Sequence, residues 1–479
     1  MNSQIMPVHF SSEHRFDFSQ ADVLEKHLFE ESGIALLPSF ATRYFIDDKK
    51  IAGYFGHTLE PLHADWMDVA LACYLADRLT PRHQQQTAQA FQWVRNFRLR
   101  LAVRKPEVWS SPEISRELSR LLHFFTDDVW HFEFIARTQQ KRLSEIQGTL
   151  LPPPPAPVKV VLYSGGLDSF AGAVEQVADF QDHSFVFVSA ATNARQKSAQ
   201  RKQVNAIRRL TSREVSHVII PFGFKWEEGR HPKEEPSQRT RGFLYLTLGV
   251  ITALNAGAEK LHLFENGIGA INLPYDAAQN GAMNSRAVNP LSLLRMENFI
   301  ERLTDKPFQI TNPFLFRTKS EMCKHRAVQA MSETIPLTFS CDGFPVRTSG
   351  KPQCGFCTSC LLRRLSLESA GLSAYDAGDK YIADLLSPRF DGSSRQLQSL
   401  KVMEWQFHKL SQCLAQSDQW QSLSVEFPIL QTIVSELGSH SKEDTESLRQ
   451  SILQLYANYI SEWKVFSARE QLLTKARAA

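Results

Sequence analysis

Apolar positions along the chain change their period twice, and each change predicts a different architecture. Before residue 150 helical and strand periods alternate. Trp66, Val69, Cys73 and Ala76 recur at helical spacing, and Pro81 stops that helix. Ser111-Pro112-Glu113 reads as an N-cap followed by proline at the first helical position, with Ile114, Leu118, Leu121 and Leu122 as its buried stripe. Phe97, Leu99, Leu101 and Val103 alternate with Arg98, Arg100 and Arg104, and Trp130, Phe132 and Phe134 repeat the alternation, as half-buried strands do. The arginine stripe is read as a solvated sheet face, with phosphate contact as the sharper alternative. Cys73, inside an apolar helical pattern, is expected to be a packed core thiol.

From Val158 the pattern becomes short, continuous β-prone runs: Val158–Tyr163, Phe185–Val188, Val215–Phe222 and Leu261–Phe264. Helical stretches such as Ala171–Ala178 and Phe243–Leu254 separate them. Buried strands alternating with helices predict an α/β fold with a doubly wound parallel sheet, which binds ligands at the carboxyl ends of its strands. Beyond about residue 375 the period is helical again. Leu400, Met403, Phe407 and Leu410 form one stripe, and Leu448, Ile452, Leu455 and Tyr459 another; both are expected to dock on the sheet domain. The run Leu151-Pro152-Pro153-Pro154-Pro155-Ala156-Pro157 lacks backbone donors and reads as a stiff connector. The expected organisation is an N-terminal α+β accessory domain (1–150), a proline linker (151–157), a catalytic core (158–374) and a helical region (375–479).

Composition narrows the function classes. The 479 residues carry 54 Lys+Arg against 51 Asp+Glu, a net charge of +3 that gives no electrostatic argument for nucleic acid or a membrane surface. No apolar run approaches the roughly 20 residues of a spanning helix, and Met1–Arg15 lacks the pattern of a secretory signal. Seven cysteines is an odd number, and four of them fall between Cys341 and Cys360. That distribution points away from a disulfide framework and towards a reduced cytoplasm and a metal site.

Two motifs carry chemistry. Ser164-Gly165-Gly166-Leu167-Asp168-Ser169 joins the first strand of the sheet to a helix. Its glycines bring backbone N–H groups close to a phosphate oxygen, the helix start favours the same anion, the serines add hydroxyls, and Asp168 could hold Mg²⁺. Neither G-x-x-x-x-G-K-[ST] nor G-x-G-x-x-G fits this loop. The second motif, Cys341, Cys354, Cys357 and Cys360, has the spacing C-x12-C-x2-C-x2-C, which can close a tetrahedral zinc site; an iron–sulfur cluster is the alternative. Gly355 lets the chain turn between ligands, and Arg363 and Arg364 are expected to offset thiolate charge. Cys323 and Cys413 fall outside the spacing and read as packing residues.

The loop resembles the S-G-G-x-D-S signature of the PP-loop ATP pyrophosphatases. Loop and cysteines together resemble the 7-cyano-7-deazaguanine synthase (QueC) family, over residues 158 to about 370. Arg241, before the helical Gly242-Phe243-Leu244-Tyr245, matches that family's arginine, and Thr318-Lys319 with Glu321 matches its T-K-x-E segment. The sequence departs from the family at Gly242, at Thr192-Asn193-Ala194-Arg195-Gln196, and at Glu265-Asn266-Gly267-Ile268-Gly269-Ala270-Ile271-Asn272. That last segment reads equally as a binding loop or a structural one. The two flanks look more like the QueC-like proteins of bacterial anti-phage operons, including the Qat systems.

The resemblance implies ATP, Mg²⁺ and Zn²⁺ as cofactors. It implies adenylation of a deazaguanine-like carboxylate, with release of pyrophosphate, followed by amide and nitrile formation or transfer to an amine of a partner encoded in the same operon. Ser164 to Ser169 would bind the ATP phosphates, and Asp168, Arg241 and Lys319 would steady developing charge. Competing readings are PP-loop tRNA thiolation, which needs a cysteine to carry sulfur, and a nucleotide-binding scaffold without chemistry.

Overall fold

The computed structural model describes residues 12–20, 23–27, 43–82, 94–137, 141, 143–146, 157–211, 215–225, 234–274, 286–343, 351–385, 387 and 394–468. Their strands are β1 (Ser12–Gln20), β2 (Val23–His27), β3 (Arg43–Ile46), β4 (Asn96–Val103), β5 (Val129–Ala136), β6 (Val158–Leu162), β7 (Ser184–Ala191), β8 (Val215–Lys225), β9 (Lys260–Leu263) and β10 (Gln309–Thr311). They form a 10-stranded sheet in the order β10-β9-β6-β7-β8-β3-β2-β1-β4-β5.

Strands β10, β9, β6, β7 and β8 are parallel throughout. Their continuous apolar runs reflect cover on both faces. Val161, Phe185 and Phe187 join a core with residues of the helices Leu167–Asp179 and Ala194–Thr211. Val160, Val186 and Val188 join a second core with the helices Arg241–Asn255 and Pro290–Thr304. Strand order reverses between β6 and β9, so the loops leaving their carboxyl ends diverge and open a crevice, the usual ligand position in such sheets.

The sheet does not stop where the prolines stand. β3 pairs antiparallel with β8, and β2, β1, β4 and β5 continue outward from it. Trp66, Phe97 and Trp130 share one apolar core with Val160, Phe243 and Phe299. The two sides of the connector are therefore one packed body in this region; residues 151–156 themselves lie outside those described.

The helix Pro61–Leu79 spans the predicted stripe, and Cys73 in it is fully buried. Helix Pro112–Thr126 begins as expected, the Ser111 hydroxyl accepting from Ile114 N–H at 3.3 Å. On β4, Arg98 and Arg100 are about half exposed and pair with Glu133, as a solvated face would. Arg104 is a correction to the stripe. The strand ends at Val103, the alternation ends with it, and Arg104 turns inward to bind Asp65 and Asp68, each at 2.9 Å, and Glu145.

The C-terminal region is helical: Ser394–Leu414, Gln419–Glu426, Ile429–Ser441 and Thr445–Ser467. Its stripes dock in cis, because Leu400, Met403, Ile452 and Leu455 pack with Ile268, Leu291 and Leu361 of the core. No described helix is long and apolar enough to cross a membrane.

Candidate functional site

The loop after β6 is held from below by two glutamines. Gly165 has φ +87°, and a Cβ there would lie 3.0 Å from the Phe339 ring, so only glycine fits without displacement. Gln200 donates to Ser164 C=O at 3.0 Å, and Gln203 donates to Gly165 C=O at 3.0 Å and Leu337 C=O at 2.8 Å. Both glutamines come from the Ala194–Thr211 helix and are fully buried. The Ser169 hydroxyl accepts from Gly165 N–H at 3.1 Å, and the Ser164 hydroxyl accepts from Gly166 N–H at 3.2 Å. Leu167, Asp168 and Ser169 open the next helix, where backbone N–H groups have no acceptor four residues back. Ser164 remains exposed at the mouth of the loop.

Asp168 points into a charged cluster at the strand-order reversal. Lys319 Nζ lies 2.7 Å from its Oδ2, and both side chains are nearly excluded from solvent. Asn266, from the loop after β9, donates to Asp168 Oδ1 at 3.0 Å and to Glu265 Oε1 at 2.8 Å. Its own carbonyl caps the short helix Gly267–Ile271 by accepting from Gly269 N–H at 3.0 Å, which fixes the amide orientation. Burial, then the Asp168 charge, pushes the Glu265 carboxyl up to about 8. Burial alone would lower Lys319; the two carboxylates outweigh it and hold the ammonium above its ordinary value.

Among the residues expected at the site, the fold brings Ser164 to Ser169 and Lys319 together. It does not bring in Arg241. That side chain is exposed, donates to Gln238 Oε1 at 3.3 Å, and makes no hydrogen bond or ion pair with the loop among the described residues. Gln200 and Gln203 are the additions, and Glu265 with Asn266, read from sequence as equally a binding or a structural loop, contact Asp168 or its partner. The glutamines had a faint sequence signal, two polar residues inside an apolar helical stripe with Val204 and Ile207.

The four cysteines also converge. Their sulfurs all lie within 4.8 Å of one another, with Cys354 and Cys360 sulfurs 3.8 Å apart. A tetrahedral Zn–S distance of about 2.3 Å places sulfurs about 3.8 Å apart, so the donor set could hold a zinc ion. Backbone N–H groups of Gly343, Cys354, Cys357 and Cys360 donate to cluster sulfurs at 3.3–3.4 Å, which favours thiolates. Gly355 has φ +92°, and a Cβ would lie 1.9 Å from Ala383 C=O, so the turn between ligands demands glycine.

The arginines, expected to offset part of the thiolate charge, are held mainly by carboxylates, with Cys360 a smaller influence on Arg363. Arg363 pairs with Asp376 at 3.0 Å and donates to Thr338 Oγ1 at 2.7 Å, and Arg364 pairs with Asp384 while stacking on Tyr381. Their first charge partners are carboxylates, because the helix Thr358–Ser369 aims both side chains at the segment 376–384. The metal segment also walls the loop, since Phe339 N–H donates to Gly165 C=O at 3.3 Å. A second cluster, Glu175, Asp179 and His325, is poorer for metal, because Arg317 already neutralises Glu175 at 2.7 Å.

Comparisons with protein-family models and with curated proteins find no match to this chain.

Proposed function

We propose that the protein activates a carboxylate with ATP, forming an acyl-adenylate and releasing pyrophosphate. One observation carries the reading. The aspartate of a Ser-Gly-Gly-Leu-Asp-Ser loop, at the reversal of strand order, is ion-paired to the lysine of a Thr-Lys-Ser-Glu segment far along the chain. Such a pair stands where a phosphate-bearing ligand of an open parallel sheet would bind.

In this reading the N–H groups of the loop and the Ser164 and Ser169 hydroxyls bind phosphate oxygens. Asp168 would hold Mg²⁺, which offsets phosphate charge. Lys319 leaves Asp168 for the α-phosphate, where negative charge builds as the carboxylate oxygen attacks and the α–β bridging bond breaks. The carboxylate is of the 7-deazaguanine class, as the motif resemblance implies. An amine then attacks the activated carbonyl and displaces AMP: either ammonia, giving an amide whose oxygen a second ATP would activate so that water is lost to form the nitrile, or an amine of a partner protein in an anti-phage setting. Zinc would be structural, because four cysteines leave no open coordination position. Arg241, exposed at the start of its helix and bonded to Gln238, is left out of this scheme.

The thiolation alternative is weakened by the cysteines outside the metal set. Cys73, Cys323 and Cys413 are all buried, and burial pushes the Cys323 thiol up to about 12, so none is poised to carry sulfur.

Incubation with ATP, Mg²⁺ and 7-carboxy-7-deazaguanine should give AMP and pyrophosphate only when the carboxylate is present, with product identified by mass. ADP, or AMP independent of the carboxylate, would overturn the reading. A mass shift on tRNA would favour thiolation instead.

A further inference from the structure

Lys319 opens a helix too short to support itself. Lys319–Cys323 spans five residues, and one helical turn in isolation is unstable. Its start is fixed by a capping box. The Thr318 hydroxyl accepts from Glu321 N–H at 3.1 Å, while Glu321 Oε2 accepts from Thr318 N–H at 2.7 Å.

Each capping side chain has a second partner on the C-terminal helix Thr445–Ser467. Thr318 Oγ1 donates to Glu462 Oε1 at 2.5 Å, and Asn458 Nδ2 donates to Glu321 Oε1 at 2.8 Å. Residues 458 and 462 are four apart, so they present one helical face to the lysine turn. Glu462 is only 5 % exposed, a costly place for a carboxyl that merely packs.

We propose that Glu462 and Asn458 are positioning residues of the nucleotide site, holding the Thr318–Glu321 cap so that Lys319 stays aimed at Asp168. The role of Lys319 at phosphate rests on the function proposed above; the mechanical link does not. The C-terminal region is then part of the site's frame, and movement of its last described helix is felt at the lysine.

Burial pushes the Glu462 carboxyl up to about 7, with Thr318 and Lys324 acting to lower it and Glu321 to raise it. The nearby Cys323 thiol stays neutral. Glu462 Oε2 and the Ser320 hydroxyl are both buried without a hydrogen-bond partner, although Ser320 lies close enough to act on the carboxylate. Glutamine keeps a side-chain oxygen that can accept from Thr318 and is the conservative replacement.

The test is competitive acetylation of the full-length, zinc-loaded chain with trace acetic anhydride, reading Lys319 against the other lysines by mass spectrometry. Lys319 should be protected in the wild type. Glu462→Ala should raise its labelling about tenfold, as loss of a charge-assisted hydrogen bond shifts an opening equilibrium. Glu462→Gln should retain most of the protection, because the amide oxygen can still accept from Thr318. Should Glu462→Ala fail to fold, Asn458→Ala, at a half-exposed position, should give a smaller rise in the same direction. Unchanged protection in folded Ala variants, or glutamine as disruptive as alanine, would overturn the proposal. Wild-type protein that never forms AMP would sink the adenylation reading alone, because the labelling decides the link independently.

Discussion

The two flanks of the parallel sheet attach to it by different physics. The N-terminal flank joins through backbone, extending the sheet beyond β8, and through a buried ionic network. Asp128 binds Arg82 at 2.8 Å and Arg95 at 2.6 Å, Arg95 binds Asp77 at 2.6 Å, and Asp77 accepts from Thr240 N–H at 3.1 Å, beside the start of the Arg241–Asn255 helix. Burial opposes ionisation of Asp77, but the Arg95 charge and the Thr240 hydrogen bonds hold its carboxyl below the ordinary value. The C-terminal flank adds no strand. It joins through apolar packing and side-chain contacts, among them Glu436 with Arg295 at 3.1 Å, His440 with Glu297 at 2.9 Å, and Gln406 donating to Leu273 C=O and Pro274 C=O at 3.1 Å. Two further hydrogen bonds fall on the turn that carries Lys319. One flank is thus tied to the sheet by buried ion pairs and the other reaches the turn that carries Lys319, and the difference can be broken experimentally.

The largest expected effect is on the N-terminal network. Asp128→Ala removes the buried carboxylate shared by Arg82 and Arg95, leaving Arg95 with Asp77 as its carboxylate, and should cost about 3–5 kcal/mol in denaturant unfolding. Where the protein is still folded, Lys319 labelling should not change; a change would erase the distinction between flanks. Next is the metal module, which belongs to neither flank. Cys357→Ser should release the metal and lower the melting temperature, while Asp168→Asn should abolish AMP formation and leave metal content intact. Equal metal loss in both variants would mean that the roles are misassigned.

The C-terminal flank should show a pH dependence of its own. The folded-state carboxyl of Glu462 stands near 7, above its ordinary value, so the native state holds this proton more tightly than the unfolded chain. Its contribution to stability is complete below the ordinary carboxyl range and is lost as pH rises to about 7. Unfolding curves of Glu462→Gln should lack that component; superposable wild-type and Gln curves would remove it. The smallest effect compares two caps. Ser111→Ala and Thr318→Val should each cost about 1 kcal/mol, yet only the second should lower the rate of AMP formation. Equal rates in both would detach the cap from the site.

How much of this was legible depends on distance along the chain. The cysteine set spans residues 341–360, and its spacing alone nearly closes a tetrahedron, so sequence suffices there. The Ser164–Ser169 loop was legible for the same reason, as a short string between a strand and a helix. Arg104 was misread because alternation was extended one residue beyond the end of its strand. Gln200 and Gln203 gave only a weak sign, since a polar residue in an apolar stripe has many explanations.

By itself the sequence determined four of the five strands of the parallel run (the strand Gln309–Thr311 was not among its expectations), the helical tail, the cysteine cluster and the glycine loop. These follow from periods of two and 3.6 residues and from contacts a few residues apart. Only the tertiary structure decided that strand order reverses between β6 and β9. That reversal sets Asn266 against Asp168, Lys319 beside both, and Glu462 behind the lysine's cap. Such contacts join segments far apart in the chain, and their partners are chosen by sheet order and helix docking, which no local spacing encodes.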